Sequence, residues 1–219
     1  MRTATILTGM YQAMLDALGP SLWWPGDTPF EIAIGAILTQ NTNWKNVEKA
    51  IENLKTNDCL EPKALFALAP KGLAELIRPA GYYNIKTKRI RNFLTFLKDE
   101  ADFQIESLKG MELIDIRPKL LSVNGIGPET ADSILLYALE YPTFVVDAYT
   151  HRMMGRHGLI YADIDYHELQ SLFMDALPED VALYNEYHGL IVRIGKDWCK
   201  KKAGLCETCP LKSFLNTEC

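Results

Sequence analysis

Long apolar runs are missing from this 219-residue chain: nothing in it approaches the roughly 20 consecutive apolar residues that a bilayer-spanning helix needs. The opening stretch, Met1 to Gln12, holds no extended apolar segment of the kind that directs export, so the expectation is a cytoplasmic protein with no membrane partner. Alternating stretches of strand length, internal repeats and low-complexity tracts are absent as well. Cysteine is scarce and unevenly placed, with five in all and four of them in the last 21 residues.

What is present is helical periodicity. Ile6, Leu7, Met10, Tyr11, Met14 and Leu18 mark one amphipathic stretch, and Phe30, Ile34, Ile37 and Leu38 mark another. The same spacing predicts helices around 44–54, 86–97, 118–121, 130–139, 149–156, 166–177 and 183–196, separated by short breaks rich in Gly, Pro and Asn. With 48% hydrophobic residues the chain can bury a full core, and the fold class expected is all-α.

The net charge of −5 disfavours a polyanionic partner by its total, since phosphate binding draws affinity from Lys and Arg that release counterions. Distribution points the other way. Lys86, Lys88, Arg89, Arg91 and Lys98 fall between Tyr82 and Lys98 with no acidic residue among them, whereas seven acidic residues and no Lys or Arg lie between Leu159 and Tyr187. Such segregation fits a cationic face with an acidic back; a solvated basic helix face is the plainer alternative.

Two local patterns carry chemistry. In Leu121-Ser-Val-Asn-Gly-Ile-Gly-Pro-Glu-Thr-Ala131, two glycines frame one apolar residue between helical stretches. They permit a tight turn while Ile126 plugs back between the helices, and the following helix offers its first N–H groups to an anion. The second pattern is Cys199-x6-Cys206-x2-Cys209-x9-Cys219. Clustered thiolates call for a soft metal, zinc or an iron-sulfur cluster. Zinc loops usually pair cysteines in two tight knuckles, and here only Cys206 and Cys209 form one, which suits a [4Fe-4S] cubane better. Cys59 reads as a structural thiol.

Leu38-Thr-Gln-Asn-Thr42, Val123-Asn-Gly-Ile-Gly-Pro-Glu-Thr-Ala131, Val145-Val-Asp-Ala-Tyr-Thr-His-Arg152 and the cysteine loop follow one another in order. In this order they resemble the helix-hairpin-helix DNA glycosylases of the endonuclease III superfamily. The resemblance implies two helical domains. One is a six-helix barrel, 26–138, carrying the hairpin at about 118–134; the other is built from 1–25 and 139–219 and closed by a [4Fe-4S] loop, 199–219, ligated by Cys199, Cys206, Cys209 and Cys219. It implies a monomer acting on double-stranded DNA that contains a damaged base, in the nucleoid. Gly125, Ile126, Gly127 and Thr130 would grip the DNA backbone, Gln40 and Asn41 would contact DNA with Gln40 filling the gap left by a flipped base, and Asp147 would serve the chemistry. The familiar loop closes after five residues rather than nine, a difference worth only about 0.5 kcal/mol of closure entropy.

Departures from the family sharpen the reading. Members that cleave the strand place a lysine where this sequence has Glu129, and a carboxylate forms no imine. The expectation is therefore a monofunctional enzyme in which Asp147 activates water or stabilises the developing sugar cation; the same Asp147 also reads as a helix N-cap. Trp23-Trp24-Pro25, Trp44 after the Thr-Gln-Asn-Thr segment, Glu129, and Arg78-Pro-Ala-Gly-Tyr-Tyr-Asn84 resemble the 3-methyladenine branch, which also places Lys196 at the base pocket. A cationic alkylated purine stacks well on indole and leaves without protonation. Uracil or thymine in mismatches, oxidised pyrimidines, and DNA binding without chemistry are the rival readings.

Overall fold

Apolar residues three and four apart become buried stripes, and every regular element among the described residues, 2–215 of the computed structural model, is helical. In chain order the α-helices are α1 (Arg2–Leu18), α2 (Pro29–Thr39), α3 (Trp44–Thr56), α4 (Pro62–Ala67), α5 (Pro70–Leu76), α6 (Tyr83–Ala101), α7 (Leu113–Ser122), α8 (Pro128–Ser133), α9 (Ala148–Arg156), α10 (Tyr166–Met174) and α11 (Val181–Asp197). The chain divides into two compact units, Pro25–Tyr141 and Met1–Trp24 with Pro142–Cys219.

The Pro25–Tyr141 unit is built around α2. Thr28 caps it by accepting from the Glu31 backbone at 3.1 Å, and Pro29 occupies its first turn, where no N–H is needed. Phe30, Ala33, Ile34, Ala36, Ile37 and Leu38 are all buried, so this helix is apolar on nearly every side and forms the centre of its unit. Leu54 of α3, Leu73 of α5, Phe93 and Leu97 of α6 and Leu120 of α7 pack around it, each worth about 1.5–3 kcal/mol of burial. Helices α4 and α5 were not legible as periodic stretches: each is one to two turns long, starts on a proline and buries only one or two residues. Beyond α8 the helix widens into a π turn over Ile134–Ala138, closed by Leu139 N donating to Ile134 O at 3.1 Å.

The second unit joins α1 to α9, α10 and α11. Leu7, Met10 and Met14 of α1 are fully buried, and the Tyr187 hydroxyl of α11 donates to the Leu7 carbonyl at 2.8 Å. Phe144 stacks on Phe173 with centroids 4.2 Å apart, and Tyr184 and Tyr187 meet Phe144 edge-on, the arrangement aromatic quadrupoles favour.

Candidate active site

In the Pro25–Tyr141 unit, one face of α6 ties three loops together. The Lys86 ammonium is 1% exposed and donates to Leu38 O at 2.8 Å and Ala80 O at 2.7 Å. Arg89, one turn on, donates through Nη1 to Gln40 Oε1, and Asn92 donates to Asn124 O at 2.9 Å. Burial, with the charge of Arg89 adding to it, pulls the Lys86 ammonium down to about 8. Arg91 donates to Leu68 O. The basic face expected from the sequence is thus largely internal wiring: of the five cations between 82 and 98, Lys88 and Lys98 are the exposed ones. Buried helix-end and loop carbonyls need donors, and these lysine and arginine side chains supply them.

The hairpin joins α7 to α8. Ile126 is buried, and Gly125 takes φ +96° with the Arg89 side chain lying where its Cβ would be. Gln40 Nε2 donates to Gly125 O at 3.1 Å and to Thr130 Oγ1 at 2.9 Å. With Arg89 on its oxygen, Gln40 is a strut between α6 and the hairpin. Asn41 beside it is exposed with φ +54°. Gly127 is the N-cap of α8 with no side-chain capping bond, Pro128 follows, and Glu129 is exposed in the first turn. Trp44, half-buried at the start of α3, lines a cleft with Pro25, Asp27, Glu31 and Lys55. Tyr82, within the Arg78–Asn84 stretch singled out in the sequence, is an aromatic 66% exposed at φ +46° directly after Gly81.

In the other unit, Asp147 is both cap and charged group. Its Oδ1 accepts from Thr150 N at 2.8 Å and from Thr150 Oγ1 at 2.9 Å, closing a capping box at the start of α9. Its Oδ2 lies 3.6 Å from His188 Nε2 of α11, with side-chain exposures of 13% and 5% for Asp147 and His188. Burial pushes the Asp147 carboxyl up, but His188 and the two Thr150 hydrogen bonds outweigh it and hold the group below its ordinary 3.8. His188 was missed in the sequence, where a single histidine in an apolar helix reads as core.

Trp23 and Trp24 are half-buried beside this pair. Their rings meet edge-on with centroids 5.2 Å apart, Trp23 meets His188 edge-on at 6.3 Å, and the Lys196 ammonium stands 5.7 Å from the centre of the Trp23 ring. Gly189 makes this possible, because a Cβ there would meet Ser21 Oγ at 2.5 Å and Trp23 Cβ at 2.6 Å. Ser21 is pinned by Glu186, which accepts from its N at 2.6 Å and from its Oγ at 2.8 Å. Asp147, Trp23, Trp24 and Lys196 are thus brought together in one unit, while Pro25, Trp44, Glu129, Gln40, Asn41 and the hairpin belong to the other.

The cysteine loop follows α11. Cys199, Cys206 and Cys209 carry free thiols and line one pocket with Met153, Ile194 and Trp198. Arg156 donates to Cys199 Sγ at 3.1 Å, and Arg152 to Cys199 O at 2.7 Å. Burial pushes the Cys209 thiol up, a backbone hydrogen bond from Leu211 offsets part of this, and neighbouring Cys206 and Cys199 push it further. Among the described residues no three metal-capable side chains stand together as a ligand set, and Cys219 lies outside those residues. Three soft thiols on one apolar pocket, with an arginine to balance thiolate charge, nevertheless suit a thiolate-ligated metal. The half-buried Cys59 donates to Asn57 O at 3.0 Å.

The chain thus carries a helical hairpin in one unit and a half-buried aspartate capping a helix in the other. The family model described as "HhH-GPD superfamily base excision DNA repair protein" matches residues 34–179. The chain belongs to that superfamily, and it is a DNA glycosylase of base excision repair. It is 49% identical over 206 residues to a protein of Methanocaldococcus jannaschii named, provisionally, as a DNA repair glycosylase, covering 94% of this chain and 93% of that one. Endonuclease III of Thermotoga maritima is 30% identical over 84% of this chain and 81% of its own length. Among solved structures, H. pylori 3-methyladenine DNA glycosylase bound to 1,N6-ethenoadenine superposes with a TM-score of 0.76 at 32% identity, covering 89% of this chain and 97% of that one. A trapped endonuclease III–DNA covalent intermediate gives 0.83 at 21% identity over 98% and 96%, a likeness of fold. No helix among the described residues is long and apolar enough to cross a membrane.

Proposed function

We propose that this enzyme is a monofunctional glycosylase that rotates an alkylated purine, 3-methyladenine foremost, out of duplex DNA and hydrolyses its glycosidic bond without cleaving the strand. The observation that carries this is the site around Asp147: a carboxylate with Oδ1 spent on capping and Oδ2 facing His188, beside a pair of indoles and a lysine. A cationic base stacks on Trp23 or Trp24 without needing a general acid to leave. Asp147 then stabilises the positive sugar and takes a proton from the attacking water. Glu129, in place of an amine, removes the imine route to strand cleavage. The likeness to the H. pylori enzyme supports the choice of base.

On the DNA side, Gly125, Ile126, Gly127 and Thr130 hold the backbone. Gln40 is committed to three hydrogen bonds within its unit, so the exposed Asn41 takes the gap-filling role first given to Gln40, with Tyr82 as a second contact. The proposed resident cofactor is a [4Fe-4S] cluster on Cys199, Cys206, Cys209 and Cys219, which when bound fastens the C-terminal loop by charge-neutralised thiolate ligation.

The test is single-turnover incubation with duplexes carrying 3-methyladenine, uracil, thymine opposite guanine, or an oxidised pyrimidine, scoring base release and strand cleavage separately. Release of 3-methyladenine with no borohydride-trapped adduct is the expected result. Preferential release of a pyrimidine would replace the substrate, and a trapped adduct would overturn the monofunctional assignment.

A further inference from the structure

Asp147 divides its two oxygens between two tasks, and His188 attends to the one that does chemistry. Oδ1 is saturated by Thr150, accepting from both its backbone N–H and its hydroxyl. These bonds fix the carboxylate at the start of α9 but leave rotation about its last bond as a soft coordinate, because terminal sp³–sp² torsions are broad. The group facing Oδ2 is His188 Nε2, at 3.6 Å from α11. That distance lies beyond an ordinary hydrogen bond, and it closes to one with a small turn of either side chain.

The imidazole cannot easily turn away. His188 is 4% exposed, its ring meets the Trp23 indole edge-on, and the next residue is Gly189, whose missing side chain lets Ser21 and Trp23 lie directly on α11. Ser21 is held there by both oxygens of Glu186. One helix thus carries the anchor for the 21–24 segment (Glu186), the partner of Asp147 (His188), the space for Trp23 (Gly189) and the cation above Trp23 (Lys196). The imidazole is the shared wall between an indole of the proposed base pocket and the carboxylate.

We infer that His188 is a positioning residue for excision: its Nε2–H, donated to Oδ2, holds the free carboxylate oxygen in the direction of the sugar and the attacking water. The proton stays on the imidazole throughout, and no bond forms or breaks at His188. This inference rests on Asp147 being the reacting carboxylate, as proposed above. What matters is a donor at the Nε2 position, and a neutral amide there serves as well as an imidazole.

The variants that separate these ideas are His188→Gln, which places an amide N–H close to where Nε2 stands, and His188→Leu, which fills the space without a donor. In single-turnover excision of 3-methyladenine, His188→Leu is expected to slow the chemical step by about 100-fold, the order of loss for a misaligned reacting group. His188→Gln is expected to restore most of that rate, and affinity for a duplex with a stable abasic analogue should match wild type in both. Equal rates in Leu and Gln variants, or a loss in the Leu variant confined to binding, would overturn the inference. A second readout needs no activity: the ring ¹⁵N resonances of His188 in the free protein should shift on Asp147→Asn, and an unchanged spectrum would sink the pairing itself. If wild type releases none of the bases tried, the proposed function fails while the resonance test still decides whether Asp147 and His188 are partners.

Discussion

Arg89 occupies the space that any side chain at position 125 would need. Gly125 has φ +96°, and the aliphatic part of Arg89 lies against its Cα on the way to Gln40 Oε1. Gly125→Ala therefore combines backbone strain with displacement of a strut, at a cost of about 1–3 kcal/mol. Gly127→Ala is the internal control, since nothing stands within 4 Å of a Cβ there and its φ is −91°. Denaturant unfolding of the two variants should show a large loss for the first and little change for the second.

Gln40 and Asn41 are adjacent but should behave oppositely. Gln40→Ala leaves Arg89 without its acceptor and the Gly125 carbonyl without its donor, so stability should fall by about 1–2 kcal/mol. Asn41→Ala should lower the melting temperature only slightly, by the strain of an alanine at φ +54°, and weaken excision from duplex DNA. Parallel thermal melts and single-turnover rates check both, and a melt as damaged in Asn41→Ala as in Gln40→Ala would contradict the assignment.

Lys86 gives a signature at alkaline pH. Its folded value, about 8, lies below the ordinary 10.5, so between these values the unfolded chain binds more protons and stability attributable to this residue rises with pH. Lys86→Met removes donors from Leu38 O and Ala80 O, for a loss of about 2 kcal/mol at neutral pH. The gap between wild type and this variant should widen from pH 8 towards 10.5; a constant gap would mean that the ammonium is not desolvated.

Asp147 acts at the other end of the scale. Because its folded value lies below 3.8, its stabilising contribution is complete above that pH and is lost as the pH falls through the folded value. Asp147→Asn keeps an acceptor for Thr150 and loses the charge. Excision should drop by at least about 100-fold, while the variant's stability should lose this acid-dependent component, as read from unfolding series between pH 2 and 7.

For the cysteine loop, the purified protein is expected to carry about four irons per chain and broad visible absorbance. Stoichiometric zinc instead would reassign the metal. Cys206→Ser should remove the metal and lower the melting temperature.

The helical architecture was legible because long helices repeat their apolar residues often enough to be counted, as in α1, α3 and α11. Helices α4 and α5 escaped because a proline start and one buried leucine leave no period to read. Asp147 was legible from its motif, and its capping role from the residue that follows three positions later. His188 and Lys86 were not: each derives its meaning from a partner about 40 to 50 positions away, Asp147 or Leu38 O, and a linear pattern carries no such distance. The basic stretch on α6 misled for a related reason, since charge in a sequence does not reveal whether carbonyls or solvent will receive it.

The face of α6 that presents Lys86, Arg89 and Asn92 imposes a constraint on altering this enzyme. The loops holding Asn41, Tyr82 and Gly125 share one support, so they form a single heritable unit in which a change at any one is felt by the others. Attempts to redirect the enzyme to another lesion must treat the DNA-side loops as a block to be exchanged whole.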